Sequence, residues 1–228
     1  MTKKMTDLGS MAMVENAVIQ GYGIQITHRD MNIMSFINEV GYCEIPQIEE
    51  QFELNKPRSY QIMKRLVLAG LVFHQRVFHN RPGIYQLTRK GAEQMGLPFI
   101  TKISVGIYRH KILLAKVYIK LKKKYPEAGW INEQELRRNK FRLGTGKRGH
   151  VPDGMLIFLD GRKIAIEVEL SLKGRDRLEQ IFKEYLKEGS DSIREVWYYC
   201  PQELMATLAD IAKKLPFIKI FNIQELLR

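Results

Sequence analysis

The stretch "VPDGMLIFLDGRKIAIEVELSLK", residues 151–173, predicts two apolar strands joined by a turn. Strand side chains alternate between two faces. The second strand therefore has one face with Ile164, Ile166, Val168 and Leu170, and another with Ala165, Glu167 and Glu169. Two neighbouring carboxylates repel each other, and Asp153 lies just upstream. The pattern indicates a cation that compensates these three acidic side chains.

A divalent metal ion is the first interpretation of this acidic face. Mg²⁺ and Mn²⁺ prefer hard oxygen ligands, which carboxylates on a rigid sheet edge provide. Such an ion activates water or stabilises charge on a phosphate. Lys173 follows Glu169 by four residues and can reach the same place, where it positions a nucleophile or neutralises developing charge. The alternative is a solvent-facing strand on which Glu167 and Glu169 pair with lysines.

The length of the turn decides whether Asp153 joins the two glutamates. A two-residue turn, 160–161, pairs Asp153 with Val168 on the apolar face. A three-residue turn, 160–162, with its central glycine near the positive-φ position, pairs Asp153 with Glu169. The metal site therefore requires the longer turn or a bulge.

The charge of the whole chain indicates a polyanionic partner. The 228 residues carry a net charge of +12, and nucleic acid is the polyanion that basic proteins most often bind. An ordinary basic protein without such a partner is the alternative. No apolar run reaches the roughly 20 residues that span a bilayer, and the first residues do not resemble a signal peptide. Cys43 and Cys200 have no metal-ligand spacing, so we expect a reducing, cytoplasmic location without membrane insertion.

The N-terminal part predicts a winged helix-turn-helix domain over residues 29–100, after a loose arm at residues 1–28. Three helices are predicted in "THRDMNIMSFINEVG", "EIPQIEEQF" and "NKPRSYQIMKRLVLAG", the first capped by Thr27 or Asp30 and the third with Ile62, Leu66 and Leu68 turned inward. The runs "LVFHQRVF" and "GIYQLT" predict a hairpin with the polar tip "HNRPG". In a winged helix the third helix enters the major groove of DNA and the hairpin is the wing.

Exposed polar and basic side chains are expected on both of these elements. They are Arg58, Ser59, Tyr60, Lys64 and Arg65 on the third helix, and Arg76, His79 and Arg81 on the wing. Their chemistry favours DNA over the alternative, a winged helix that contacts proteins.

Residues 101–228 predict a second domain with a mixed sheet, because helices and strands alternate after the hairpin 153–170. Between Leu136 and His150 there are six Lys or Arg residues, no acid and three glycines. This segment is predicted to be a basic, glycine-rich loop that follows a phosphate backbone through Arg142, Lys147 and Arg148. A solvated, mobile loop is the alternative.

The motif "PD…EVEL…K" resembles the PD-(D/E)xK nuclease fold of restriction endonucleases, with Glu169 where Lys usually stands. The order of the whole chain goes further. A winged helix, then "YRHKILLAKVY", then "VPDGMLIF…IAIEVELSLKGRDRLEQIFKEYLKEG", is similar to the replication-relaxation family and the MobC-type plasmid relaxases. The resemblance covers approximately residues 28–200.

This resemblance implies a fold of the α+β or α/β class, in which a winged helix-turn-helix domain precedes a nuclease-like mixed sheet. It implies metal-dependent, site- and strand-specific nicking of DNA at a plasmid transfer origin. Asp153, Glu167 and Glu169 would hold Mg²⁺ or Mn²⁺, and Lys173 would be the displaced catalytic lysine. The implied partners are double- and single-stranded DNA at the origin, an accessory mobilisation protein and a coupling protein.

Two histidines and one tyrosine complete the candidates. His110 matches a histidine typical of the family's long helix, although a lone helical histidine is equally a core or capping residue. His150, which precedes the Pro-Asp pair, is a second candidate of this kind. Tyr185 has helical spacing with Leu178 and Phe182 and is assigned to the core, so no tyrosine nucleophile is identified. Cleavage through a covalent protein–DNA bond therefore stays open.

Two other functions are compatible with this sequence. One is a non-catalytic, origin-binding relaxosome or replication accessory protein with a degenerate nuclease domain. The other is a transcriptional regulator whose residues 100–228 serve assembly or effector binding. The complete set of Asp153, Glu167, Glu169 and Lys173 favours the enzyme, because a decayed site is expected to lack at least one of them.

Overall fold

The computed structural model describes residues 25–100, 105–142, 149–187 and 193–228. Residues 1–24 of the predicted arm therefore lie outside the described residues. The N-terminal part contains α1 (His28–Val40), β1 (Cys43–Glu44), α2 (Ile45–Phe52), α3 (Lys56–Leu68), β2 (Val72–Gln75), β3 (Ile84–Leu87) and α4 (Arg89–Gln94). Its three strands form an antiparallel sheet in the order β1-β3-β2.

The predicted helix boundaries of this part follow from local capping. The Thr27 side chain accepts a hydrogen bond from the Asp30 amide, and α1 ends at Gly41, whose φ is +84°. Ile62 and Leu66 on α3 are buried as expected, but Leu68 is 74% exposed. The expectation for Leu68 was wrong because Leu68 follows Leu66 by two residues, which places the two side chains about 200° apart around the helix axis.

The C-terminal part is built around a five-stranded mixed sheet. After a short 3₁₀ turn (Val105–Ile107) come α5 (Tyr108–Lys124), β4 (Gly129–Asn132), α6 (Glu133–Arg142), β5 (Gly154–Ile157), β6 (Lys163–Val168), α7 (Arg175–Lys187), β7 (Glu195–Cys200), α8 (Gln202–Ile211), β8 (Ile218–Asn222) and α9 (Ile223–Leu226). The strand order is β4-β5-β6-β7-β8. β4, β5 and β6 pair antiparallel, whereas β6, β7 and β8 pair parallel.

Helices cover both faces of this sheet, so that β6 is buried on both sides. Ile164, Ile166 and Val168 pack in one cluster with residues of α5, whereas Ala165 packs with residues of α7 and α8. The alternation predicted for the second strand of the hairpin is therefore present. Glu167 belongs to the same alternating set as Ala165, which is the side that faces α7.

Helix α5 joins the two parts of the chain. Ala115, Tyr118 and Ile119 belong to the core of the N-terminal part, while Leu114, Val117 and Leu121 pack in the cluster on one face of the mixed sheet. At the start of the helix the buried Tyr108 donates a hydrogen bond to Glu44. The first turn of α5, which carries His110, is thereby anchored to both parts.

The hairpin closes one residue earlier than either predicted turn. Ile157 pairs with Lys163 and Gly154 with Ile166, so the register places Asp153 opposite Glu167 rather than Val168 or Glu169. The loop is the three residues 159–161, because the Phe158 amide still donates to the Arg162 carbonyl at 2.9 Å. Gly161 is its last residue with φ +84°, which is where a three-residue hairpin loop takes its left-handed residue. Asp153 nevertheless stays on the side of the glutamates.

Part of the predicted basic loop is helical. α6 follows β4 directly and continues through Arg142. The loop prediction was therefore wrong for residues 136–142, whose lack of glycine or proline permits a helix. Lys147 and Arg148 lie outside the described residues.

Cys43 and Cys200 are both buried free thiols. A helix with the length and the apolar character needed to cross a bilayer does not occur within the described ranges.

Candidate active site

Glu167 and Glu169 lie at the end of β6, next to the parallel strand β7. Each residue is only 4% exposed. Glu167 is opposite Tyr198, and the Glu169 amide donates to the Tyr199 carbonyl at 3.0 Å, which continues the pairing past the strand end. This burial excludes the alternative of a solvent-facing strand with surface carboxylates.

Asp153 is held in the same place by two hydrogen bonds. Its Oδ2 accepts from the Val168 amide at 2.9 Å and from His110 Nε2 at 3.0 Å. Burial alone would raise the pKa of Asp153, but the hydrogen bond and charge of His110, with the Val168 amide, lower it below its usual value. Conversely, burial lowers the pKa of His110, and the effect of Asp153 outweighs this and raises it. The two side chains therefore stabilise each other as an ion pair.

Glu167 is hydrogen-bonded to two side chains that come from other elements. Its Oε1 accepts from His150 Nε2 and from the hydroxyl of Tyr185 on α7. Burial, together with the charge of Asp153, raises the pKa of Glu167, and the hydrogen bonds from His150 and Tyr185 offset only part of this rise. Burial and the charge of Glu167 also raise the pKa of Tyr185 well above its usual value, which disfavours a tyrosinate nucleophile.

Lys173 forms an ion pair with Glu169 Oε2. Its side chain is 40% exposed, whereas that of Glu169 is 5% exposed. The lysine therefore reaches a buried carboxylate from the solvent side, four residues further along the chain, as the sequence predicted.

These side chains line one cavity of about 500 Å³. Its residues include Asp153, Glu167, Glu169, Lys173, His110 and His150, with Arg109, Lys111, Glu133 and Arg137 around them. Lys111 Nζ lies 3.0 Å from Glu133 Oε2, and Arg137 lies 2.7 Å from Glu133 Oε1. The structure thus brings the five predicted catalytic residues together, with basic side chains beside the carboxylates.

Several side chains in this cavity, or bonded to its residues, were not among the predicted catalytic residues. Tyr185 was assigned only to the core, and although it is buried in that cluster, its hydroxyl also binds Glu167. Arg109 stands next to His110 in "YRHK", which was the one local signal for it. Arg137 and the Lys111–Glu133 pair gave no such signal, because their proximity depends on how α5 and α6 pack.

The donor set fits a divalent metal ion by chemistry, since three carboxylates line the same cavity. Across residues 25–100, 105–142, 149–187 and 193–228, however, no group of three Asp, Glu, His or Cys side chains is arranged to hold one. The contacts explain this arrangement. Asp153 is bonded to His110, Glu167 to His150 and Tyr185, and Glu169 to Lys173.

The predicted DNA-binding residues of the N-terminal part divide into exposed and structural ones. Arg58, Tyr60 and Lys64 on α3 and Arg76, His79 and Arg81 between β2 and β3 are exposed, and so is Arg142 at the end of α6. The expected exposure of Ser59 was wrong, because it is fully buried and its hydroxyl donates to Glu49 at 2.7 Å. Arg65 is only partly exposed, because it forms an ion pair with the buried Asp30.

Comparisons with known proteins add little to this geometry. No protein-family model matches the sequence, and no curated protein sequence matches it. The resemblance to the MobC-type relaxases therefore rests on the motif residues alone. Among solved structures, the chain is similar to one described as the restriction endonuclease FokI, with 16% identity, a TM-score of 0.29, and coverage of 87% of this chain and 43% of that chain. The chain thus spans less than half of that chain's length.

Proposed function

We propose that this chain is a metal-dependent endonuclease that nicks one strand of DNA, of the relaxase type that acts at a plasmid transfer origin. The observation that carries the proposal is the set of three carboxylates and Lys173 in one cavity, beside Arg109 and Arg137. Carboxylates suit a hard cation, and guanidinium groups suit phosphate. This combination fits the hydrolysis or transfer of a phosphodiester better than the chemistry of a neutral substrate.

The residues of the cavity have separate tasks in this proposal. Mg²⁺ or Mn²⁺ held by Asp153, Glu167 and Glu169 would supply the positive charge that activates the nucleophile and stabilises the phosphate in transfer. His110 and the Val168 amide keep Asp153 ionised, which favours its use as a ligand. Lys173, on its exposed side chain, would leave Glu169 and neutralise charge on the phosphate.

The N-terminal part would recognise the duplex. We propose that residues 29–100 act as a winged helix and residues 101–228 as the nuclease domain. The support is the order of three helices and an antiparallel hairpin, with exposed Arg58, Tyr60 and Lys64 on the third helix. Arg76, His79 and Arg81 would contact phosphates from the wing. An accessory mobilisation protein and a coupling protein belong to this proposal as partners that a relaxase needs.

One observation favours a second candidate, a non-catalytic accessory protein that binds the origin. In the described part of the chain each of the three carboxylates is bonded to a protein cation or hydroxyl, rather than arranged with the others as a ligand group. A protein that only binds DNA would retain such a network for its contribution to folding.

A nicking assay separates the two candidates. Supercoiled plasmid with the cognate transfer region is incubated with protein and Mg²⁺, Mn²⁺ or chelator, and conversion to open circle is measured. We expect metal-dependent nicking that Asp153→Ala and Glu167→Ala abolish, with duplex affinity within a few fold of wild type. Asp160→Ala is the matched control, because Asp160 is an exposed acid on the same hairpin and pairs only locally with Arg162.

Each other outcome has a defined meaning. Tight duplex binding without nicking under any ion would refute the enzyme and favour the accessory protein. Loss of binding in step with loss of nicking would make the hairpin structural. Glu167→Gln keeps the shape of the side chain and guards against a folding defect in the alanine variant.

A further inference from the structure

Helix α6 is fixed to the candidate active site along one side. Glu133 at its start pairs with Lys111 of α5 at 3.0 Å and with Arg137 at 2.7 Å. About two turns after Glu133, Lys140 Nζ donates to the His150 carbonyl at 3.0 Å. Because His150 also binds Glu167, the helix holds a defined position beside the carboxylates.

Next to this side, the last turn of α6 presents an aromatic ring to solvent. Phe141 is 78% exposed, and within α6 no residue is buried. Single exposed apolar residues are common on proteins. Phe141, however, lies one turn after Arg137 and Arg138, which are at i−4 and i−3 and flank it on the helix surface. Arg142 follows directly, so three arginines lie within four residues of the ring along the chain.

This surface suits a single nucleic acid strand. From Leu136 to Arg142 there are four basic residues and no acid. A single strand offers both the phosphates that these charges attract and base faces that stack on an aromatic ring. Duplex DNA buries its base faces, so a stacking ring distinguishes single from double strands. Arg137 lines the catalytic cavity, which makes this surface continuous with the proposed site of cleavage.

We propose that Phe141 stacks on an unpaired base of the DNA strand that leaves the active-site cavity, with the flanking arginines on its phosphates. The choice of DNA rests on the proposed nuclease function. The stacking itself does not require cleavage. It implies that the substrate strand is already unpaired when it reaches the site.

Binding without cleavage tests this inference. The affinity of the full chain for a fluorescein-labelled single-stranded oligonucleotide is measured by anisotropy in the presence of chelator. Phe141→Ala should weaken it by about 5- to 150-fold, the range for loss of one stacked base. Phe141→Trp should retain it. Leu159→Ala is the matched control, since Leu159 is 86% exposed and lies in the hairpin loop.

The outcomes separate this inference from the proposed function. Unchanged single-strand affinity in Phe141→Ala overturns the inference, whatever the nicking assay gives, and leaves a protein partner as the use of the ring. An equal loss on duplex and single strands also overturns it, because stacking requires unpaired bases. A selective loss on single strands, with quenching of 2-aminopurine in wild type but not in Phe141→Ala, supports it even if the plasmid is never nicked.

Discussion

Tyr185→Phe tests whether the buried network holds Glu167 in place. The substitution keeps the aromatic ring in its cluster and removes one hydrogen bond to a carboxylate that is 4% exposed. The buried carboxylate loses one of its two side-chain donors, so we expect a loss of about 1.5–3 kcal/mol in the free energy of unfolding. For a chain of this size, this loss lowers Tm by approximately 3–12 °C. Thermal unfolding followed by circular dichroism in chelator measures it.

The pH dependence of this loss gives the reasoning a second test. The Tyr185 hydroxyl lowers the pKa of Glu167, so its removal raises the pKa of the folded state further above that of the unfolded chain. The destabilisation should therefore be larger at pH 8.5 than at pH 5.5. Tyr199→Phe is the control, because Tyr199 is equally buried on β7 but stacks on Phe221. Equal, small losses in the two variants, or no change with pH, would refute the network.

Three further predictions concern other residues. Burial raises the pKa of Glu39 to about 7, so the folded state loses stability relative to the unfolded chain as pH rises from about 4.5 to 7. Glu39→Gln should therefore be more stable than wild type at pH 8 by about 1–3 kcal/mol, with no gain at pH 4. Urea unfolding at both pH values checks this, and an equal gain at both would contradict it. Arg58→Ala and Lys64→Ala should each weaken duplex binding about 5- to 150-fold, or reduce its salt dependence, without a change in Tm. Arg65→Ala should instead lower Tm, because it leaves the fully buried Asp30 without its cation. A fall in Tm for Arg58→Ala would contradict the DNA-binding role of Arg58 and would mean that its side chain stabilises the fold.

The period of two in residues 163–169 was sufficient to predict which carboxylates lie together. The alternation predicted which side chains of β6 share a face. A shift of one residue in the strand register would place Ile164 and Ile166 on the face that holds the carboxylates. The exact partner of Asp153 was not predicted. Both proposed turns began at position 160, whereas the left-handed Gly161 has to be the last residue of a three-residue loop. An error of one position in the start of the turn therefore moved the partner of Asp153 from Glu169, as the three-residue turn predicted, to Glu167.

The sequence did not predict the contacts between side chains on distant elements. The bond from Tyr185 to Glu167 joins α7 to β6, and helical spacing explains only the apolar ring of the tyrosine. Arg65 was grouped with the DNA-binding residues by its charge alone, because nothing local shows that Asp30 is fully buried and requires a cation. The exposure of a basic side chain could be predicted correctly where no buried acidic side chain pairs with it, as at Arg58.

The three carboxylates of the cavity differ in how firmly the chain compensates their charge. His110 lowers the pKa of Asp153, so this acid is a stable anion. The pKa of Glu167 is raised in spite of its two donors, so its charge is incompletely compensated by the described side chains. Glu169 depends on Lys173, which is 40% exposed and is free to move towards solvent at little packing cost. In the proposed mechanism, a cation that enters the cavity would therefore gain most at Glu167 and Glu169, the two acids on one side of β6.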